Sequence, residues 1–161
     1  MEIERKFLVK TLPEDLDEYE CRQMEQGYLC TEPVVRIRRS NEKYTLTYKG
    51  AGLLMREEYN LPLTKEGYEH LRPKADGILI AKKRYKIPYQ KYTIELDIFQ
   101  GELAPLLLAE VEFDSREEAE AFVPPDWFGE DVTFDGTYQN SYLSRHGWRE
   151  EKAGTDSSEG S

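Results

Sequence analysis

Ionisable side chains spaced two residues apart recur along most of this chain. They are Glu2, Glu4 and Lys6; Arg36 and Arg38; Lys49 beside Thr47; Arg56 and Glu58; Lys82, Arg84 and Lys86; Glu95 and Asp97; and Glu110 and Glu112. In an extended strand, residues i, i+2 and i+4 share one face. Each run therefore sets its charges on one side, opposite residues such as Ile3 and Phe7, Val35 and Ile37, or Ile94, Leu96 and Ile98. An ordinary half-exposed antiparallel sheet also alternates, but its wet face usually mixes Ser, Thr and Gln with the charges. Here nearly every such position ionises, and the signs segregate by strand. The Arg fork and the Lys point charge suit phosphate oxygens. Clustered carboxylates suit Mg²⁺ or Mn²⁺, hard cations that bind carboxylate and phosphate oxygens together. If the sheet closes with this face inward, the lumen must stay wet, because desolvating unpaired charges is costly. A polyanion with a divalent metal is the simplest occupant.

The elements that must carry these residues are mostly strands. Alternation bounded by turn residues predicts strands over 2–9, 55–61, 78–87, 92–99 and 106–113, and a hairpin of 34–39 with 43–49 across Ser40-Asn41-Glu42. Ser115 followed by Glu118 is a capping-box pattern opening a helix that stops at Pro124-Pro125. Thr64 caps a second helix to about residue 71, an acidic helix is predicted over 14–25, and a last one over 137–146. The class is α+β with an antiparallel sheet. The charge of −10, from 22 Lys+Arg against 32 Asp+Glu, argues against a general nucleic-acid binder. It does not exclude a concentrated internal cationic patch. The 161 residues, 39% apolar, suffice for one core. No apolar run approaches the roughly 18 residues of a membrane span, and the acidic N-terminus lacks a signal-peptide core, so a cytoplasmic protein is expected. Cys21, Cys30, His70 and His146 make neither a disulfide framework nor a tetrahedral metal site. Residues 150–161, rich in Ser, Gly and acids, read as a disordered tail after a domain of residues 1–149.

Glu2-x-Glu4-x-Lys6 on the first strand resembles the ExExK signature of the CYTH superfamily, the triphosphate tunnel metalloenzymes. Further matches follow in the family's order: Gln26-Gly27-Tyr28-Leu29, Arg36-x-Arg38, Thr47-x-Lys49, Arg56-x-Glu58, Lys82-x-Arg84, Glu95-x-Asp97, Glu110-x-Glu112 and Asp135-Gly136-x-Tyr138-x-Asn140. They run to about Leu143, and the short bacterial inorganic triphosphatases are the members it is most similar to. The resemblance implies an eight-stranded antiparallel β-barrel with flanking helices, whose hydrophilic tunnel hydrolyses substrates bearing a triphosphate. Carried over, Lys6, Arg36, Arg38, Lys49, Arg56 and Arg84 would grip phosphate. Glu2, Glu4 and one or both of Glu110 and Glu112 would bind Mg²⁺ or Mn²⁺. Glu58, Glu95 and Asp97 would support the tunnel's charge, water or metal. Tyr28 and Lys82 match a pair of the tripolyphosphatase-like subset and would orient or activate water or protonate the leaving group. Gly136 stands where the family often has a charged residue, so Asp135 reads as structural.

The expected activity is metal-dependent hydrolysis of tripolyphosphate, with weaker action on nucleoside triphosphates. Adenylate cyclase and thiamine triphosphatase use a similar tunnel and remain alternatives, as does a non-catalytic polyphosphate-binding module. No nucleic-acid or membrane partner is expected, and a homodimer is left open. The ionic inner face disfavours an apolar ligand.

Overall fold

A computed structural model describes residues 3–50 and 57–148. Glu2, Arg56 and the tail 150–161 of the sequence reading lie outside them. The strands are β1 (Ile3–Val9), β2 (Glu20–Thr31), β3 (Val34–Ser40), β4 (Lys43–Lys49), β5 (Glu58–Pro62), β6 (Asp76–Tyr89), β7 (Tyr92–Gln100), β8 (Leu107–Phe113) and β9 (Phe128–Asp131). The helices are α1 (Lys65–Leu71), α2 (Arg116–Ala121) and α3 (Asn140–His146). All nine strands form one antiparallel sheet in the order β5-β4-β3-β2-β6-β7-β8-β1-β9. The antiparallel sheet is as expected, with nine strands where eight were expected. The short β9 adds to β1, and no pairing joins β5 to β9 among the described residues.

The helix expected over 14–25 is corrected. Leu16–Glu18 makes a single 3-10 turn and Glu20 begins β2. Its Glu, Gln and Met favour a helix in isolation, but β2 pairs with β6 from Glu20 to Tyr28 and with β3 from Met24 to Thr31. Ladder bonds on both sides outweigh a propensity worth only tenths of a kcal/mol per residue. Tyr28 lies within this strand. The register shifts beside it on both partners. Gly27 permits the close approach there, because a Cβ would meet Leu79 Cδ2 at 2.7 Å and Ala75 Cβ at 2.8 Å.

The two faces of the sheet differ as the alternation requires. On one face Phe7, Ile87, Ile94, Leu96, Ala109, Val111 and Phe113 pack with Ala119, Phe122 and Phe128. The α2 helix starts where predicted, with Ser115 Oγ accepting from Glu118 N at 3.1 Å, and leads Phe122 onto this core. The other face carries the charges in its middle. At one end it turns apolar: Ile80, Phe99 and Leu108 share the parity of Lys82, Asp97 and Glu110, and join Leu103, Leu106, Val132, Tyr138 and Leu143 in a second core. Gly77, at φ +68°, lets α3 close over this end, since a Cβ there would strike the carbonyl of Ser144. The inner face is thus ionic along part of its length and plugged at one end. No helix among the described residues is long and apolar enough to cross a membrane.

Candidate active site

The charged face encloses a cavity of about 770 Å³. Residues of β1 and of β5, near opposite ends of the sheet order, line it together, so the sheet curls around it. Of the residues singled out from the sequence, Glu4, Lys6, Tyr28, Arg36, Arg38, Lys49, Glu58, Arg84, Glu95, Glu110 and Glu112 all line this cavity. Lys82 and Asp97 share its face but lie beneath the lining. Lys83 is exposed on the opposite side.

The buried layer is an ion triad. The Asp97 carboxylate accepts from Lys82 Nζ at 2.7 Å and from Arg84 Nε and Nη2 at 2.8 and 2.9 Å. Burial favours the neutral acid, but Lys82 and Arg84 outweigh it and hold the Asp97 carboxyl down at about 2. Burial pushes the Lys82 ammonium down to about 8 against the pull of Asp97. The Lys82 ammonium also lies 5.2 Å from the centre of the Phe99 ring. Arg84 is different: burial opposes its charge, yet Asp97, Glu95 and Glu110 keep its affinity for the proton above the ordinary arginine value. Glu95 lies 3.2 Å and Glu110 3.8 Å from its outer nitrogens.

Tyr28 lines the cavity, and Lys82 is buried beside Asp97. Lys82 stands opposite Met24 on β2, four residues and about 13 Å along the strand from Tyr28. The register instead sets Tyr28 opposite Arg36. Burial pushes its phenol up while Arg36 and Arg38 pull the other way.

Arg36 and Arg38 have no ion pair among the described residues. Arg36 Nη2 donates to Thr47 Oγ1 at 3.1 Å, and that hydroxyl donates to Asn60 Oδ1 at 2.6 Å. Arg38 Nε donates to Gln26 Oε1 at 2.8 Å. Burial, and then the neighbouring Arg36 and Arg84, draw the Arg38 guanidinium down to about 10. Three arginines thus converge, two of them aimed by neutral groups. The lining Lys49 has no ion pair among the described residues. Lys6 donates to the Tyr138 carbonyl at 3.0 Å and lies 3.3 Å from Glu110.

Across the cavity, Glu4 pairs in register with Glu112, and Lys6 with Glu110. Like charges directly opposite on neighbouring strands repel, a cost that a cation between them removes. Among the described residues no group of three or more acids, His or Cys converges into a ready-made metal cage. The donors present are hard carboxylate oxygens, which fit Mg²⁺ or Mn²⁺ completed by substrate oxygens, since Mg²⁺ rarely uses an all-protein cage.

Several contributors had no role assigned from the sequence. Thr47, Gln26 and Asn60 follow the parity of their charged neighbours, and that signal was available. Gln139, Asn140 and Ser141 reach the cavity from the start of α3, for which no alternation exists. Asp135 is structural, accepting from Thr137 N at 3.0 Å and Thr137 Oγ1 at 2.7 Å to cap the turn before α3. His70 and His146 are exposed, and His146 stacks on Tyr142 at 4.1 Å.

Comparison with known proteins agrees with this geometry. Residues 1–139 match the sequence profile of the CYTH domain. An inorganic triphosphatase of Nitrosomonas europaea is 43% identical over 148 residues, covering 89% of this chain and 96% of that protein. One from Acetivibrio thermocellus is 36% identical over 157 residues, covering 92% of this chain and 96% of the relative. A crystal structure of an inorganic triphosphatase superposes with a TM-score of 0.74 at 40% identity, covering 89% of this chain and 94% of its own. A Pyrococcus horikoshii protein, 22% identical, shares the fold with a TM-score of 0.52 over 74% of this chain and 84% of its own.

Proposed function

The chain belongs to the CYTH domain family, and from that premise we propose that it is an inorganic triphosphatase, hydrolysing tripolyphosphate to diphosphate and orthophosphate. The observation that carries the reading is the cluster of Arg36, Arg38 and Arg84 in an enclosed cavity, two of them oriented by neutral partners and so left for a bound anion.

Tripolyphosphate repels an attacking water through its own charge, so catalysis rests on neutralising that charge and holding the chain in line. Arg36, Arg38 and Arg84 present planar donor forks to the phosphate oxygens, and Lys6 and Lys49 add point charges; Arg56 is assigned the same part. Asp97 fixes the plane of Arg84 through two parallel bonds. Lys82, sequestered beneath it, acts on the reaction through Asp97 and Arg84 rather than by touching substrate. Tyr28, whose phenol stays protonated at neutral pH because burial raises its affinity for the proton, is suited to donate. It orients the water or bonds the bridging oxygen that leaves with diphosphate. Glu4 and Glu112, with Glu2 and Glu110, are assigned to a divalent ion; when bound, Mg²⁺ or Mn²⁺ supplies further charge neutralisation at the phosphate oxygens. Glu58 and Glu95 bound the cationic patch and limit where an anion can settle.

The test is phosphate release from tripolyphosphate and from ATP, each with Mg²⁺, with Mn²⁺ and with EDTA. Metal-dependent release favouring tripolyphosphate is expected. Binding without release under any metal would overturn the enzymatic reading, and cyclic AMP formed from ATP would redirect it to cyclase chemistry.

A further inference from the structure

Gln26 is fully buried on β2, between Arg38 of β3 and Ile80 of β6 in the sheet register. Its orientation is dictated by its partner. A guanidinium has donors and no acceptor, so the amide must turn Oε1 toward Arg38 Nε, 2.8 Å away. That leaves Gln26 Nε2 buried with no partner among the described residues. Native structures rarely leave such a group unmatched. A glutamate of nearly the same shape would avoid the orphan, because both carboxylate oxygens accept and the pair with Arg38 would be charge-assisted. With Arg38, and Arg36 and Arg84 beside it, to offset the burial of that charge, stability alone would favour Glu at this position.

The contrast with Arg84 on the same face sharpens the point. Arg84 is met by the carboxylate of Asp97 and approached by Glu95 and Glu110. Arg38, set beside Arg36 and Arg84, receives a neutral amide. Its charge is aimed without being cancelled. A carboxylate at position 26 would satisfy the guanidinium internally, and any phosphate entering the cavity would have to compete with it.

We propose that Gln26 is a positioning residue for Arg38, whose neutrality keeps that arginine available to the substrate polyanion and so sets the affinity of the site. The proposal rests on the triphosphatase reading above. It assigns Gln26 an effect on binding opposite in sign to its effect on stability, which a purely structural residue would not have.

The test compares Gln26→Glu and Gln26→Met with the unsubstituted chain. Thermal unfolding, steady-state kinetics and calorimetric binding of tripolyphosphate with Mg²⁺ are read for each. For Gln26→Glu the unfolding midpoint is expected to stay or rise, while KM and Kd for tripolyphosphate rise by about tenfold, the size of one charge-assisted contact, and kcat changes less than threefold. For Gln26→Met, which keeps Arg38 uncompensated but unaimed, affinity is expected to fall between the other two. Two results would overturn the proposal: Gln26→Glu binding as tightly as the unsubstituted chain, or both variants losing stability and affinity in parallel. Calorimetry keeps the two readings apart. If the unsubstituted chain binds tripolyphosphate without hydrolysing it, the enzymatic reading fails, and the order of the three Kd values still decides the part played by Gln26.

Discussion

Replacing Asp97 by asparagine keeps the shape of the buried site and removes the carboxylate that Lys82 and Arg84 share. The structure gives two routes to the size of the loss. The carboxyl is held at about 2 against an ordinary 3.8, which corresponds to roughly 2–3 kcal/mol of stability at neutral pH. Asp97 is 2% exposed and accepts three hydrogen bonds, and breaking one side of such a buried pair usually costs roughly 3–5 kcal/mol. The two overlap near 3 kcal/mol, because the second also counts the cations left behind. Urea unfolding at pH 7.5 measures it, and a cycle with Lys82→Met isolates the coupling. The Lys82 substitution should cost less in the Asp97→Asn background than in the unsubstituted chain. The sign with pH follows from the depressed carboxyl: the stabilisation is present above about 4 and is lost as pH falls toward 2. Asp97→Asn should abolish that part of the acid sensitivity. A loss under about 1 kcal/mol, with additive single effects, would refute the claim that the triad is a closed, mutually dependent unit.

Other perturbations report on different parts of the molecule. Glu4→Ala should abolish metal-stimulated phosphate release while leaving the unfolding midpoint within a few degrees; full activity would remove Glu4 from the metal set. Because burial holds the Lys82 ammonium near 8, below its ordinary 10.5, its burial cost is present below pH 8. That cost is relieved as pH rises through this window, so Lys82→Met should flatten the rise in stability between those values in urea titrations. Gly27→Ala should destabilise by about 1–3 kcal/mol through overpacking against Leu79 and Ala75, read as a lower urea midpoint.

Much of the architecture was legible because strand alternation is strict here. Among the described residues, the charged runs from β1 to β8 lie on strands, and parity named most of the cavity wall. Parity specifies a face but not a depth, however. Lys82 and Arg84 are indistinguishable in sequence, yet one lies under the lining and the other in it, although both bond Asp97. The apolar plug escaped for the related reason that Ile80, Phe99 and Leu108 continue charged runs whose character changes only where α3 and the segment 132–138 cover them. Strand β2 was misread as helical at its start, since its stability comes from two distant partners and not from its own residues. Strand β9 is four residues long and has no alternation to read. The convergence of Arg36, Arg38 and Arg84 depends on how far the sheet curls, which no local pattern encodes.

Among the described residues β5 pairs only with β4, and all five of its residues are exposed. It nevertheless supplies Glu58 and Asn60 to the cavity wall. Local opening free energies range from near zero at such edges up to the global value in packed strands. The wall opposite β1 can therefore detach without disturbing the Asp97 triad or either apolar core. In hydrogen exchange this would separate the molecule into two populations, with β5 amides exchanging through cheap local openings and those of β6 and β7 only through global unfolding. Such an opening would free Asn60 from the Thr47 hydroxyl that orients Arg36, while Arg84 stays held by Asp97, so one arginine of the cluster is tied to the yielding edge and another to the packed floor.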